Sequence, residues 1–309
     1  MKVNPYFEFL DNIRSEESCI KYLESVIWEG VPKCPRCYSL NPYQTNEGWK
    51  CSNLSCYKKF TIRYGTIFYR SRIPLRIWLQ VMYLFVSDKR GVSSEQISDQ
   101  FYIGQEAAWF MLQRLREMLG NVEDFELGVD NVVEVDEMHV GGLDKYKHYP
   151  KKRKRNTDLT ITGEVYKKKT KVIGMIERGS KVKMEMIDSV SKQNCESFIK
   201  KNLKHGGTIY TDEHRAYKGL GKFYNHDSVV HSRMNFVNGD IHTNSIENVW
   251  SNIKPAMGAT YNRVTEKHMN RYLNEYAARF NTRGMTSVER LEYFIRRCDC
   301  YLSYEKLIA

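Results

Sequence analysis

Residues 133–142 read "VEVDEMHVGG". Side chains of a strand point alternately to its two faces, so Val133 and Val135 fall on one side and Glu134 and Asp136 on the other. Gly141-Gly142 ends the run. Carboxylates on the covered face of a sheet are costly unless something compensates their charge. A chain with a formal net charge of +11 does not need these two for solubility. The question is what neutralises them, and which other acidic residues come near.

Downstream, "TKVIGMIERG" (170–179) and "KVKMEMIDSV" (181–190) alternate like two strands of a hairpin turned at Gly179-Ser180. "SKQNCESFIKKNL" (191–203) reads as a helix with Phe198, Ile199 and Leu203 apolar. "GTIYTDEH" (207–214) reads as a fourth strand ending in Asp212. A hairpin and one crossover helix between the first and fourth strands predict that the two are adjacent, in a mixed sheet with Asp136 and Asp212 at one edge. In "HTNSIENVWSNIK" (242–254), Thr243 or Asn244 can cap a helix whose Ile246, Val249, Trp250 and Ile253 form one stripe. Glu247 lies beside that stripe, and Lys254 stands two turns further along.

Thirty-four residues separate Asp212 from Glu247. Asp, Asp, then Glu at this interval is the arrangement of RNase H-like polynucleotidyl transferases. Three carboxylates held together repel one another, and divalent cations relieve the repulsion. Two Mg²⁺ (or Mn²⁺) ions about 4 Å apart activate an attacking oxygen and stabilise a leaving one. Lys254 would meet the phosphate as a point charge. Several neighbours compete for these roles. Glu134 shares the face of Asp136, while Glu137 and Glu213 follow their aspartates and are expected to point the other way. Asn244 offers an amide oxygen at the third position. His139, His214 and His242 flank the three motifs.

Upstream, Cys34, Cys37, Cys51 and Cys56 fall as C-x2-C, thirteen residues, C-x4-C. Two such pairs present four thiolates to one structural Zn²⁺. Between them "YSLNPYQTNEGWK" reads as a hairpin turned near Asn46-Glu47-Gly48, and "KKFTIRYGTIF" continues with strand-like alternation of Phe60, Ile62 and Tyr64. Cys19, Cys195, Cys298 and Cys300 are read as incidental. Ahead of the ribbon lies a helical segment that Ser15 can cap, stopped by Gly30 and Pro32. Behind it, an apolar helix over 75–87 is followed by a short helix after Ser93 or Ser94, a turn at Gly104, and a helix over 105–119. This is a helix-turn-helix pattern, in which the second helix would offer Gln105, Gln113, Arg114 and Arg116 to DNA.

Residues 145–171 hold eleven Lys or Arg against two acidic residues. Such a block binds phosphates well, with Lys151, Lys152, Arg153, Lys154 and Arg155 at its densest point. No apolar run follows a basic start, and no stretch approaches the roughly 20 apolar residues of a membrane helix. A secreted or membrane protein is therefore not expected, and the eight cysteines read as thiolates rather than disulfides.

The cysteine quartet, "GVSSEQISDQFYIGQEAAWFMLQRLREM", "VEVDEMHVGG", "IYTDEHRAYKGL" and "HTNSIENVWSNIKPAMGATYNRVTEKHMNRYLNEYAARFN" together resemble the zinc-ribbon-bearing DDE transposases of bacterial insertion sequences. This ISXO2-like group is related to the eukaryotic Merlin transposons, and the resemblance runs from Cys34 to about Phe294. It implies an RNase H-like α/β catalytic domain, a mixed sheet flanked by helices, over 126–295 with a basic insertion at 145–171. Ahead of it would lie a helical segment (1–30), a zinc ribbon (31–70) and a helix-turn-helix domain (71–125), with a tail at 296–309. It carries catalytic roles onto Asp136, Asp212 and Glu247, with Lys254 as the accompanying base. It implies double-stranded DNA as partner (terminal inverted repeats and target), at least a dimer on DNA, and a cytoplasmic, nucleoid-associated location. Two other readings use the same modules: a transposase-derived DNA-binding protein without catalysis, and an RNase H-type nuclease. The helix "EKHMNRYLNEYAARFNTR" (266–283) is read as core or dimer contact.

Overall fold

A computed structural model describes residues 4–120, 125–129, 131–141, 169–229, 241–261 and 264–309. The basic run Lys151, Lys152, Arg153, Lys154 and Arg155 lies outside the described residues. The chain divides into two units, Met1–Asp124 with Asn274–Ala309, and Phe125–Leu273. No helix among the described residues is long and apolar enough to cross a membrane.

The first unit opens with two helices, α1 (Pro5–Asn12) and α2 (Glu16–Trp28). Ser15 starts α2 through a capping box closed by Ser18, which satisfies two N–H groups that the first turn cannot pair internally. Three short antiparallel strands follow: β1 (Tyr43–Thr45), β2 (Gly48–Lys50) and β3 (Lys59–Phe60). The β1–β2 hairpin turns at Asn46-Glu47, as its sequence suggests. The strand expected through Tyr64 ends at Phe60, because the chain then folds into successive turns that bury Ile62, Ile67 and Phe68. Next come α3 (Leu75–Ser87), α4 (Ser94–Phe101, capped by Ser93) and α5 (Gln105–Gly120).

The second unit is built on a five-stranded sheet. Its strands are β4 (Val133–Val140), β5 (Thr170–Glu177), β6 (Val182–Ile187), β7 (Thr208–Asp212) and β8 (Asn225–Val229), with α6 (Lys192–Asn202) crossing between β6 and β7. Their order is β6-β5-β4-β7-β8. The β4–β5–β6 meander is antiparallel, whereas β7 runs parallel to β4 and β8 parallel to β7. On one face Val133, Val135, Ile173 and Met175 pack with Cys195, Phe198 and Ile199 of α6. On the other lies α7 (Asn244–Pro255), burying Ile246, Val249, Trp250 and Ile253.

Helix α8 (Glu266–Asn281) contains the boundary between units. From Asn274 onward the chain belongs to the first unit, including α9 (Ser287–Ile295) and α10 (Tyr304–Ile308). The C-terminal residues therefore do not extend the catalytic domain to 295 or trail as a tail. Leu291, Phe294, Ile295 and Cys298 share one core with Trp78, Phe85, Leu112 and Leu115.

That return overturns much of the DNA-reading role expected of α5. Gln113, Arg114 and Arg116 are buried, and only Gln105 of the four faces solvent, where it donates to Ser94 Oγ at 2.8 Å. Arg114 donates to the carbonyls of Ile67, Tyr69 and Leu302 at 2.9, 2.8 and 3.1 Å. Arg116 pairs with Glu275 at 2.7 Å, both side chains being 1% exposed. Arg279 reaches the second oxygen of the same carboxylate. Removing one partner of a buried pair strands the other charge, at a cost of about 3–5 kcal/mol. Glu275→Gln should therefore lower stability by about that amount in urea unfolding, since Arg116 and Arg279 share that carboxylate; a change of a few tenths would place the cluster on an open surface.

Candidate active site and metal centres

Parallel pairing of β4 and β7 sets Val133 opposite Ile209 and Glu134 opposite Tyr210. Two residues further on, the same register aligns Asp136 with Asp212, so their side chains leave the sheet on one face. Carboxylate oxygens of Asp136, Glu137 and Asp212 lie within 4.8 Å of one another. Glu137 was expected on the opposite face. Its Oε2 does accept a 2.6 Å bond from the Tyr217 hydroxyl on the α6 side, yet its carboxyl still reaches the group.

Glu247 is not a member of that group; it sits exposed on α7, where Oε1 accepts from Thr243 Oγ1 at 3.0 Å. One turn later Trp250 donates its indole N–H to Asp136 Oδ2 at 3.0 Å. Lys254 follows after another turn, exposed, and Asn244 is exposed at the start of the helix. Helix α7 thus touches the acidic group through Trp250, with Glu247 and Lys254 one turn to either side. Of the flanking histidines, His214 accepts from the N–H of Ala216 and starts a short 3-10 turn, and His139 is exposed.

A dense polar cluster in the unit is centred on Glu134. Its carboxylate is wholly buried and accepts from Arg178 Nε at 2.7 Å, Ser245 N at 2.7 Å, Ser245 Oγ at 2.9 Å and Ile246 N at 3.1 Å. Of the two residues expected to cap α7, Thr243 occupies the cap position but makes no side-chain cap bond, and Asn244 is the first residue of the helix. Strand β4 supplies the cap instead, placing a full negative charge at the positive end of the helix. His242 completes the cluster, its Nδ1 lying 3.0 Å from Arg178 Nη2 and 3.2 Å from Glu134 Oε1. Glu134 is therefore the hinge pin of helix and sheet, not a competing metal ligand. Sequence alternation put it on the right face; nothing local revealed its partners.

Gly174 pairs directly across from Asp136 in the β4–β5 ladder. A Cβ there would stand 2.3 Å from the Trp250 ring and 3.3 Å from Ile246 Cδ1. The bare backbone lets the indole lie on the sheet and reach Asp136.

Burial, reinforced by the charges of Glu137 and Asp212, pushes Asp136 up to about 6. Tyr217 is held well above its ordinary value, first by burial and then by Glu137. An Asp that resists ionisation beside two other carboxylates is a site with spare affinity for a cation. The donor set fits Mg²⁺ or Mn²⁺, both of which prefer carboxylate oxygen.

In the first unit Cys34, Cys37, Cys51 and Cys56 converge, all four sulfurs within 4.8 Å of one another. Sγ separations are 3.8 Å for Cys34–Cys56 and 3.4 Å for Cys37–Cys51. Tetrahedral Zn–S bonds of about 2.3 Å require sulfurs roughly 3.8 Å apart, so the set fits zinc. Burial opposes ionisation of Cys34, but N–H donors of Arg36 and Cys37 outweigh it and bring the thiol down to about 7.

A mixed sheet in the order third, second, first, fourth, fifth strand is the RNase H-like fold. Aspartates on its central strands, joined to a separate four-cysteine ribbon, define a DNA transposase of the DDE class. Residues 128–281 match the ISXO2-like transposase domain and residues 14–59 the transposase zinc-ribbon domain. The chain belongs to the ISXO2-like transposases. It is 23% identical over 264 residues to an uncharacterized protein in transposable element ISH50 of Halobacterium salinarum, covering 81% of this chain and 87% of that one. Among solved structures, a pre-cleavage Mos1 transpososome aligns over 96% of both chains at 12% identity and a TM-score of 0.28. The Mos1 transposase paired-end complex with left transposon end covers 96% of this chain and 97% of its own, at 12% identity and 0.29. At those scores the fold assignment rests on the strand order.

Gly174→Ala should drive Trp250 off the sheet, since the obstructing atoms are a packed ring. We expect a loss of about 1–3 kcal/mol, the usual cost of overpacking, read by denaturation, with a change in tryptophan fluorescence. A second expectation concerns pH. Because the folded value of Asp136 lies above its ordinary 3.8, the folded protein binds the extra proton between pH 4 and 6. Its contribution is intact below pH 4 and is lost as pH rises through about 6, amounting to about 3 kcal/mol. In magnesium-free buffer, the stability of Asp136→Asn relative to wild type should rise by up to that amount from pH 4 to 7. A pH-independent difference would mean the charge is already compensated.

Proposed function

We propose that this transposase cuts the strands at the ends of its element and joins the freed 3′-hydroxyl to target DNA, with unit Phe125–Leu273 as the catalytic domain. The observation that carries the reading is the convergence of Asp136 and Asp212 from adjacent parallel strands. These two would hold the divalent cation, with Glu247 on α7 as the third carboxylate. When bound, Mg²⁺ or Mn²⁺, two per site, would activate the attacking oxygen and stabilise the leaving one. Trp250 fixes the Asp136 carboxylate, and Lys254 meets the phosphate from the helix that Glu134 caps. Terminal inverted repeats and target duplex are the substrates. At least two copies act together, since two ends must be joined, in the cytoplasm at the nucleoid. The zinc ribbon is a folded DNA-binding module rather than part of the chemistry.

One observation favours a second assignment of the third carboxylate: Glu137, not Glu247, lies in the acidic group. The two are separable. Zinc-loaded protein should nick a duplex carrying an element end in the presence of Mg²⁺. Glu247→Gln should reduce the rate by at least about a hundredfold, the scale of losing one catalytic group, while Glu137→Gln should reduce it far less. The reverse result would move the role to Glu137. Cleavage by Asp136→Asn or Asp212→Asn at the wild-type rate would sink the catalytic assignment.

A further inference from the structure

The helix-turn-helix segment is poorly charged for DNA. Residues 91–113 contain Glu95, Asp99 and Glu106 and no Lys or Arg. All three acidic side chains are exposed, and the basic residues that follow in α5 are buried. The exposed cations nearest to it in sequence are Lys89 and Arg90, in the turn before α4, so a polyanion meets net negative charge along α4 and the start of α5. Residues 31–76 are the opposite, with nine Lys or Arg against one acidic residue. A zinc tetrathiolate would subtract about two charges and leave the segment strongly positive.

Within that segment the cations are arranged. The Arg36 guanidinium lies 4.1 Å from the centre of the Tyr64 ring. Tyr64 packs edge-on to Tyr69 at 5.1 Å, and Tyr69 edge-on to Tyr301 at 5.1 Å. Arg70 lies 5.4 Å from the Tyr69 ring, with its backbone in the left-handed region at φ 56°. Arg36 and Arg70 are exposed and the three rings are partly so. Beneath the row, buried Arg114 clamps the carbonyls of Ile67 and Tyr69 and comes within 5.3 Å of the Tyr301 ring. Stacking on a ring leaves the guanidinium edge, with its N–H donors, free to meet a phosphate. Arginines held on rings over a rigid base offer N–H donors, already ordered, to the phosphates of a duplex.

We infer that the Arg36–Tyr64–Tyr69–Arg70–Tyr301 row is the main DNA-backbone contact of the first unit, and that the helix-turn-helix is a packing element that does not touch DNA. The inference rests on the proposal that this chain binds DNA. Its partner is duplex DNA, gripped through phosphates without regard to sequence.

The test uses full-length, zinc-loaded protein and fluorescence anisotropy with a labelled random duplex of about 40 base pairs at several salt concentrations. Arg36→Ala with Arg70→Ala should weaken binding about tenfold or more and reduce the slope of log K against log salt by about 2, near 0.9 per lost phosphate contact. Should that pair melt early or lose zinc, Arg36→Gln with Arg70→Gln reads the same effect. Tyr102→Ala and Gln105→Ala, in the helix-turn-helix, should stay within about twofold of wild type. Wild-type affinity and slope in the arginine variants would overturn the inference while leaving DNA binding intact. So would a tenfold loss in Gln105→Ala. A wild-type protein that binds no duplex would overturn the inference and the DNA-binding proposal together.

Discussion

The architecture of the catalytic unit turns on how a helix is fastened to a sheet beside a carboxylate that resists ionisation. Two contacts do it. Glu134 reaches from β4 to cap the N-terminus of α7, and Trp250 reaches from α7 to the carboxylate of Asp136. Both acceptors lie on one strand, two residues apart, on one face. The period of the strand and the pitch of the helix must agree for both bonds to form. Gly174 makes the agreement possible by leaving room for the indole. Burial of Glu134 would be prohibitive alone; with Arg178, two backbone N–H groups and the Ser245 hydroxyl it becomes a directional joint.

The acidic group shows the opposite use of burial. Glu134 has its charge met by an arginine, a hydroxyl and two backbone N–H groups, whereas Asp136 has the Trp250 indole, the Glu137 backbone N–H and two neighbouring carboxylates. The first is a structural carboxylate and the second is poised for a cation. They are separated only by Val135. The distinction lies in what the rest of the chain brings to each, which is why composition and spacing leave them as rivals.

Much of the layout was legible in the sequence. The cysteine spacing specified the ribbon, the hydrophobic stripes located α3 to α7, and the hairpin-plus-crossover order placed β4 beside β7. Capping residues marked helix starts at Ser15 and Ser93, where the cap is local. What failed was non-local. Thr243 looks like a cap by type, yet the cap comes from Glu134, more than a hundred residues earlier. Strand β8 gave little signal because its side chains are mostly exposed. Arg114 and Arg116 look like DNA contacts until residues 275 to 302 return to cover them. Glu137 reached the acidic group although alternation sent it away.

The discontinuous first unit has a consequence for synthesis. Ribosomes deliver the chain from its N-terminus, and domains ordinarily fold in that order as they emerge. Here the helices made first wait for the segment made last. Until Glu275, Leu291 and Phe294 are available, Arg116 has no counter-ion and Phe85 and Trp78 face an unfinished core. The five strands of the sheet unit, with α6 and α7, all lie between Phe125 and Leu273, ahead of the segment that completes the first unit. The residues of the acidic centre are thus all synthesised before those that complete the core of the ribbon-bearing unit.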